Sequence, residues 1–372
     1  MNISMQEIAK IAKVFAIPGE LTAAEQIGNG NINQTYDITM TAQGAPARYV
    51  FQRLNTYVFK QPVQIMENIS RITAHCEKKL LEMGESRDRV MHFLSRENGE
   101  NYYIDGDAFW RACEFVPESV AYNACEDPEI LCAAGRAFGQ FQTMLSDFDA
   151  SLLYETIPNF HNTTARCATL DAHVAEDVCG RVDSVRDLLQ ALQGMRTDAL
   201  LLCDMLERGE LPLRVTHNDT KINNVLFDAN TGKEKTVIDL DTVMPGLVAY
   251  DFGDALRFAG NRAAEDEVDL SLVSFDMSRF CAFAKGFVGE VGASLTENER
   301  NTLARGVFSI TVEQTVRFLD DYICGDTYFK TLYPGHNLVR ARCQLRLAQD
   351  IWAHMEEMNA AVERICREAC AN

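Results

Sequence analysis

Three polar residues in the middle of the chain have the types and the spacing that phosphoryl transfer requires. They are Asp219, Lys221 and Asn224, in the segment H-N-D-T-K-I-N-N-V at residues 217–225, between two short apolar runs. The Asp219 carboxylate can accept the proton of an attacking hydroxyl, Lys221 can reach the transferred phosphate, and Asn224 can bind a magnesium ion. The segment therefore predicts a catalytic loop fixed between two strands.

A further carboxylate follows where a second metal ligand is needed. Asp239 ends a β-branched apolar run in the segment T-V-I-D-L-D-T at residues 236–242. The interval of 15 residues from Asn224 suits one β-hairpin with its turn at residues 228–232. Alone, such a carboxylate is as typical of a turn or a helix cap, but its position after the loop predicts a second magnesium ligand.

Two glycines near the N-terminus lie between two predicted strands, in the segment I-G-N-G-N at residues 27–31. Glycines allow the backbone to approach phosphates closely, so we expect Gly28, Gly30 and Asn31 to contact a nucleotide. The segment is neither a Walker A motif nor a dinucleotide fingerprint, because no G-K-[ST] follows and the next element is a strand. An ordinary hairpin turn explains the same glycines.

A cation for the nucleotide phosphates is expected on the third predicted strand, which offers Gln52 and Arg53. We predict Arg53, because its guanidinium is permanently charged and binds phosphate through two hydrogen bonds. Gln52 points to the opposite face and is the weaker alternative. Glu67 on the next predicted helix is the expected ion-pair partner of Arg53, although a solvent-facing position is an equally good interpretation. The backbone from Glu114 to Val116 is expected to bind adenine, between the two lobes.

The elements that must position these residues fall into two parts. Period-two alternation predicts strands at residues 21–40, 48–54, 90–93 and 102–115, with helices at 1–17 and 61–83. Helical periodicity then predicts helices at residues 130–145, 165–207, 277–288, 297–323 and 338–367, and the strand pair at 215–241 is the exception. The predicted fold is α+β and bilobal, resembling protein kinases. A small antiparallel β-sheet lobe spans residues 1–115, and a larger, mainly helical lobe spans residues 116–372.

The composition limits the partners of the chain. A net charge of −19 over 372 residues argues against nucleic acid or an anionic membrane surface as the main partner. No apolar run reaches the ~18 residues that a membrane-spanning helix needs. Twelve cysteines without a C-x-x-C pair favour free thiols in a reducing cytosol. We therefore expect a cytoplasmic protein without a membrane partner, either monomeric or weakly homo-oligomeric.

The order of these motifs resembles that of the aminoglycoside phosphotransferase and choline kinase superfamily. The catalytic loop is most similar to that of the N-acetylhexosamine 1-kinases, and the resemblance covers nearly the whole chain. Lys221 favours this branch, since aminoglycoside kinases usually lack it, whereas Arg53 stands where a lysine is usual. The other similar segments are Q-R-L-N at 52–55, I-P-N-F-H-N-T at 157–163, Y-D-F-G-D-A-L-R at 250–257, R-F-L-D-D-Y at 317–322 and H-N-L-V-R-A-R at 336–342.

The resemblance implies that the γ-phosphate of ATP is transferred to the anomeric hydroxyl of GlcNAc or GalNAc, with Mg²⁺ as cofactor. Asp219 would be the base, Asn224 and Asp239 the magnesium ligands, and His217 and Asp251 would brace the loop. The candidates for sugar contacts rest on the resemblance and on their position beside the motifs. They are Asn33, His161, Asp254, Arg317 and Tyr322. Arg317 can instead pair with Asp320 or Asp321, one helical turn away.

Other acceptors stay open. A kinase for choline, homoserine or an aminoglycoside would keep the catalytic residues and change only the pocket. The negative net charge permits the acidic pocket that a polycationic aminoglycoside needs. A non-catalytic nucleotide-binding scaffold is disfavoured, because Asp219, Asn224 and Asp239 are all present.

Overall fold

The computed structural model describes residues 3–27 and 32–371, without the side chains of residues 370 and 371. Gly28, Gly30 and Asn31 of the predicted phosphate-binding turn therefore lie outside the described residues. The described chain has the predicted bilobal α+β fold, with a small antiparallel sheet in the N-terminal lobe and a mainly helical C-terminal lobe. We retain the boundary after residue 115 as a prediction.

The N-terminal lobe is a five-stranded antiparallel sheet with one helix packed on each face. Ile8 and Ile11 of the first helix are buried with Phe51 on one face of the sheet. Met66 of the second helix contacts Arg111 on the other face. The elements are α1 (Met5–Val14), β1 (Glu20–Ile27), β2 (Gln34–Ala42), β3 (Ala45–Leu54), α2 (Pro62–Met83), β4 (Tyr103–Asp105) and β5 (Ala108–Glu114), and the strand order is β1-β2-β3-β5-β4.

The C-terminal lobe consists of helices around two small antiparallel sheets, β6-β8-β9 and β10-β7. Its strands are β6 (Ser119–Val120), β7 (Arg214–Thr216), β8 (Val225–Asp228), β9 (Glu234–Val237) and β10 (Met244–Gly246). Its helices are α3 (Pro128–Met144), α4 (Thr163–Glu176), α5 (Arg186–Glu207), α6 (Val248–Ala259), α7 (Met277–Val291), α8 (Glu297–Ile323), α9 (His336–Ala353) and α10 (Met355–Ala371). The predicted hairpin with its turn at residues 228–232 is confirmed as β8 and β9.

Helix α6 is held against α8 at a position that only glycine can occupy. A β-carbon on Gly306 of α8 would lie 1.9 Å from the carbonyl oxygen of Ala249. The two helices therefore approach backbone to backbone. This contact fixes the start of α6, from which Asp251 and Asp254 project toward the catalytic loop.

Four details differ from the sequence-based expectation. Residues 90–93 form an isolated bridge from Phe93 to Cys113 and not a strand. The helix predicted at 165–207 is interrupted after Asp177, whose φ is +41°, and the one predicted at 338–367 is interrupted at His354. Helix α6 was not expected; ten of its twelve residues are buried, including Asp251, Asp254 and Arg257, which share one face. Within the described ranges, no helix combines the length and the apolarity needed to cross a membrane.

Candidate active site

Two buried carboxylates on α6 fix the backbone of the catalytic loop. Asp251 accepts hydrogen bonds from the backbone N–H of His217 (2.9 Å) and of Asn218 (2.8 Å). One turn along the helix, Asp254 accepts a bond from the backbone N–H of Thr220 (3.0 Å). Asn218 has a φ of +64°, so the chain turns sharply at this point. The loop conformation thus depends on α6, and α6 in turn depends on its close contact with α8.

The His217 ring stabilises the loop through contacts of both its nitrogens with the backbone. Its Nε2 lies 2.9 Å from the carbonyl oxygen of Ile238, and its Nδ1 accepts a bond from the backbone N–H of Asp219 (3.3 Å). These contacts define a neutral ring with its proton on Nε2. The rings of Phe138 and Phe141 pack edge-on against it. His217 therefore ties the catalytic loop to the strand end that carries Asp239.

Asp219, Lys221 and Asn224 meet at the open end of the loop. Lys221 Nζ lies 2.7 Å from Asp219 Oδ1, and Asn224 Nδ2 donates to Asp219 Oδ2 (3.1 Å). Burial raises the pKa of Asp219, but the charge and hydrogen bond of Lys221, with a hydrogen bond from Asn224, favour the ionised form, and the pKa is lowered. The side chain is still 27 % exposed, so a substrate can reach it. This geometry supplies an ionised and accessible proton acceptor.

The Asp239 carboxylate lies where negative charge accumulates. Its residue has a φ of +60°, at the turn that follows β9. The surrounding protein disfavours the charged form, and the Asp241 and Asp219 carboxylates repel it, so the pKa of Asp239 rises to about 7. The side chain is nevertheless exposed to solvent. An exposed carboxylate beside two others offers oxygen ligands to a hard cation.

A buried ion pair between Arg111 and Asp241 joins the two lobes. Arg111 on β5 and Asp241 after β9 are in direct contact, with side chains only 1 % and 2 % exposed. Arg111 Nε also donates to Gln52 Oε1 (2.9 Å), and Asn33 Nδ2 donates to Asp241 Oδ2 (2.7 Å). Both oxygens of Asp241 therefore have protein partners. Sequence reasoning did not select Arg111, although a lone arginine inside the apolar strand A-F-W-R-A-C was a visible signal.

Arg53, predicted as the phosphate-binding cation, faces the wrong side of the sheet. In the strand register, Arg53 lies between Gln34 and Trp110, and Trp110 belongs to the apolar cluster under α1. Gln52 pairs with Arg111 and lies on the face of the sheet from which Arg111 contacts Asp241. Because side chains alternate along a strand, the preference for Arg53 over Gln52 was wrong.

The predicted ion pair between Arg53 and Glu67 is not formed either. Glu67 contacts Arg71 one turn along α2, at 3.2 Å. Arg111, which lies beside Gln52 on the neighbouring strand, is the cation that contacts the Asp241 carboxylate from the sheet. Strand pairing, which brings residues from distant segments together, decides which cation reaches the site.

The backbone predicted to bind adenine lies at the junction of the lobes. Glu114 ends β5 with an exposed side chain, and its N–H donates to the carbonyl of His92 (3.0 Å). The Val116 carbonyl accepts a bond from Ser119 Oγ (2.7 Å), just before β6. The position agrees with an inter-lobe connection, and adenine binding there stays a prediction.

Three of the five candidates for acceptor contacts lie around the catalytic loop. His161 Nδ1 is 3.1 Å from Glu313 Oε1, and its Nε2 is 3.4 Å from the carbonyl oxygen of Asn218. Arg317 acts electrostatically on both His161 and Glu313. Asp254, which holds the loop at Thr220, also lies 3.5 Å from the guanidinium of Arg257. Glu313 and Asp254, the carboxylates beside these candidates, thus each have a cationic neighbour.

The other two candidates have different partners. Asn33 uses both ends of its amide within the protein, since Oδ1 accepts from the Asn55 N–H (3.0 Å) and Nδ2 donates to Asp241. Tyr322 faces the connection between α4 and α5, where Arg181 lies 4.7 Å from its ring centroid and Ser184 Oγ 3.5 Å from its hydroxyl. The structure therefore groups neither residue with His161 and Arg317.

The alternative ion pairs considered for Arg317 are also not formed. Asp320 contacts His173 (2.7 Å), and Asp321 accepts backbone N–H bonds from residues 327–329. Arg317 instead donates to Gln314 (3.1 Å) and lies over the Phe329 ring, 5.4 Å from its centroid. Its guanidinium stays available for a ligand beside the loop.

The contact between His161 and Glu313 predicts a pH-dependent contribution to stability. Burial lowers the pKa of His161, but the Glu313 carboxylate outweighs it, and the net shift is upward from 6.5. The contribution is therefore fully present below about pH 6.5 and is lost as the pH rises through the folded-state value. We expect the difference in Tm between wild type and His161→Gln to shrink between pH 6 and pH 8.5. His354→Gln, at a histidine remote from Glu313, is the control. A Tm difference for His161→Gln that stays constant with pH, or that changes with pH as the difference for His354→Gln does, would contradict this assignment.

Comparisons with known proteins agree with this geometry. A family model described as "Phosphotransferase enzyme family" matches residues 23–281. The fold is similar to that of an aminoglycoside phosphotransferase from Alicyclobacillus acidocaldarius subsp. acidocaldarius DSM 446, with a TM-score of 0.58, 16 % identity, and coverage of 91 % of this chain and 92 % of that one.

Two further solved structures are similar at the same level. The microcompartment-associated aminopropanol kinase gives a TM-score of 0.57 at 14 % identity, over 95 % of this chain and 98 % of the other. Spectinomycin phosphotransferase APH(9)-Ia, in complex with ADP and spectinomycin, gives a TM-score of 0.57 at 12 % identity, over 96 % of this chain and 100 % of the other. At these identities the likeness concerns the fold, which extends over nearly the whole chain.

Proposed function

Because the chain belongs to the phosphotransferase enzyme family, we propose that it is an ATP-dependent kinase for N-acetylhexosamines. It would transfer the γ-phosphate to the anomeric hydroxyl of GlcNAc or GalNAc and release the sugar 1-phosphate. The observation that carries the phosphoryl-transfer chemistry is the accessible Asp219 carboxylate, held by Lys221 at 2.7 Å and by Asn224 at 3.1 Å. The sugar as acceptor is supported by the resemblance of the catalytic loop and of the C-terminal segments.

The residues present fit a magnesium ion. Asp239 is exposed, and its pKa is raised by the surrounding protein, which disfavours the charged form, and by the Asp241 and Asp219 carboxylates. Asn224 donates its Nδ2 to Asp219, which leaves its side-chain oxygen for a cation. We infer that Asp239 and Asn224 would hold the ion, which supplies charge neutralisation for the phosphates of ATP. Both oxygens of Asp241 already have protein partners in Arg111 and Asn33, so Asp241 would not bind the ion directly and would add negative charge beside Asp239.

The protein residues act mainly by positioning and charge. The acceptor hydroxyl would donate its proton to Asp219, in line with the transferred phosphate. An anomeric hydroxyl is more acidic than an ordinary alcohol, so little proton transfer is needed before the transition state. Lys221, whose pKa is raised because the Asp219 and Asp254 carboxylates outweigh its burial, stays protonated and stabilises the phosphoryl oxygens.

The charges around the loop favour a neutral acceptor. Glu313 lies beside His161 and within the field of Arg317, and Asp254 lies beside Arg257. A polycationic aminoglycoside would need carboxylates in excess of cations at this place. A neutral sugar needs polar groups that hydrogen-bond its hydroxyls together with an apolar face for its acetamide group. His161 and Arg317, with the neighbouring ring of Phe160, are the residues that we propose for this role.

Substitution of the proposed metal ligand separates magnesium binding from catalysis. We expect Asp239→Ala to raise the Mg²⁺ concentration needed for nucleotide binding by about tenfold or more, because one charged oxygen ligand is lost. The measurement is a magnesium titration of ATP-analogue binding by isothermal calorimetry. Asp107→Ala is the matched control, since Asp107 is an exposed aspartate in the turn between β4 and β5. An unchanged titration for Asp239→Ala would exclude it as a ligand.

The acceptor is tested by ATP consumption with a panel of GlcNAc, GalNAc, glucose, choline and kanamycin. We expect turnover with one or both N-acetylhexosamines and much less with glucose, choline and kanamycin. Turnover with choline or kanamycin alone would overturn the sugar assignment while leaving the phosphotransferase chemistry intact. The variant Asp219→Asn serves as the blank for contaminating ATPase activity.

A further inference from the structure

Three side chains with metal-binding chemistry meet between the ends of α4 and α8. His173 lies in the last turn of α4, Asp320 near the end of α8, and Cys324 directly after it. His173 Nδ1 is 2.7 Å from Asp320 Oδ1 and 3.2 Å from Cys324 Sγ. The three ligand atoms all lie within 4.8 Å of one another, and each residue is partly buried. None of them belongs to the active site described above.

The distances suit a small tetrahedral cation. Around zinc, ideal bond lengths place a nitrogen and an oxygen ligand about 3.4 Å apart, and a nitrogen and a sulfur ligand about 3.6 Å apart. The observed distances of 2.7 Å and 3.2 Å are shorter than these by about 0.7 Å and about 0.4 Å. Small side-chain rotations that open the cluster would therefore create the site without moving either helix.

The surroundings of Cys324 are negatively charged and include a second thiol. Cys179 Sγ would lie 3.2 Å from a β-carbon placed on Gly325, the residue after Cys324. Burial raises the pKa of the Cys324 thiol, and Asp320, Asp321, Cys179 and Glu176 raise it further. The nearby Arg181 is already paired with Asp326 at 2.6 Å. A divalent cation would neutralise this field and lower the pKa of a thiol that binds it.

We propose that His173, Asp320 and Cys324 bind one divalent transition metal of the zinc type, with Cys179 as the fourth ligand. On binding, the Cys324 and Cys179 thiols each release a proton to solvent, and the His173 proton moves from Nδ1 to Nε2. Two thiolates, one imidazole and one carboxylate form a donor set typical of zinc and unsuited to magnesium.

The metal would join the helices that carry the acceptor residues. Helix α4 begins at Thr163, two residues after His161, and α8 carries Glu313 and Arg317. A metal at the C-terminal ends of both helices would restrain how they pack together. The site does not depend on the identity of the acceptor, because its ligands make no contact with the catalytic loop among the described residues.

Cobalt substitution tests the site in the full-length protein. The protein is stripped with chelator, kept reduced with a phosphine and titrated with Co²⁺ in the presence of excess Mg²⁺. We expect one equivalent of Co²⁺ to give the near-ultraviolet charge-transfer band of a cobalt thiolate, and Zn²⁺ to displace it. Since the proposed magnesium site contains no cysteine, binding there cannot produce this band.

Three variants decide the assignment. We expect Cys324→Ser and His173→Gln each to weaken Zn²⁺ binding by more than the roughly 10- to 100-fold that loss of an outer-shell partner costs. Cys281→Ser, at a partly buried cysteine elsewhere, should bind like wild type. If Cys324→Ser does not fold, two other results test the site. We expect Zn²⁺ to raise the Tm of the wild type, and we expect His173→Gln to reduce that rise. A missing thiolate band, or one that survives both ligand substitutions, overturns the proposal.

Discussion

Asp219→Asn lowers kcat by about 10²- to 10⁴-fold, the range that a general base contributes, while ATP binding is nearly unchanged. The amide keeps the shape of the carboxylate and an oxygen toward Lys221, so the loop stays in place. It cannot accept the acceptor proton, and the charge that balances Lys221 is lost. The measurement is steady-state turnover with the best hexosamine, together with the Kd for ATP by calorimetry.

The control for this prediction is Asp107→Asn, an isosteric change at an exposed aspartate outside the site. It should leave both kcat and the Kd for ATP at wild-type values. The informative comparison is between the two measurements on Asp219→Asn, because a misfolded loop would weaken nucleotide binding as well. Turnover close to wild type with intact binding would exclude Asp219 as the base.

Arg111→Met lowers the free energy of unfolding by about 3–5 kcal/mol, since it leaves the Asp241 carboxylate buried without its partner. Both side chains are almost fully inaccessible, so solvent cannot replace the lost contact. Gln52 would also lose the hydrogen bond that its Oε1 accepts from Arg111 Nε. Urea unfolding monitored by circular dichroism measures the change.

The double variant Arg111→Met with Asp241→Asn distinguishes a buried charge from general damage to packing. Removing both charges should restore much of the stability lost in Arg111→Met, because no unpaired carboxylate remains. Arg53→Met, at an exposed arginine on the opposite face of the sheet, should change stability by less than about 0.5 kcal/mol. A double variant as unstable as the sum of the two single variants would contradict the account.

The catalytic loop could be predicted because its information is local. Asp219, Lys221 and Asn224 lie within six consecutive residues, so any fold that holds this turn brings them together. The hairpin that leads to Asp239 is also a local structure, with polar turn residues between two apolar strands. The long α8 helix was predicted at the observed residues 297–323, because its apolar spacing is continuous and Thr296 with Glu299 forms a capping box at its start.

The ion pair between Arg111 and Asp241 could not be predicted, because it depends on strand pairing between distant segments. Whether Arg53 or Arg111 faces the loop is decided by the register that sets Gln52 opposite Arg111, 59 residues along the chain. A shift of one residue would reverse every side chain on the strand. The same holds for Asn33, whose partner Asp241 is 208 residues away. Helix α6 was missed for another reason, since the face that carries Asp251 and Asp254 is buried against the catalytic loop instead of facing solvent.

The product of the reaction with GlcNAc, examined by ³¹P NMR, tests the central claim most directly. The account predicts a single phosphomonoester signal coupled to the anomeric proton of the sugar. It also predicts that this signal is absent when Asp219→Asn replaces the wild-type protein. A phosphate coupled to the protons at C6, or no sugar phosphate at all in the presence of ATP and Mg²⁺, would contradict it.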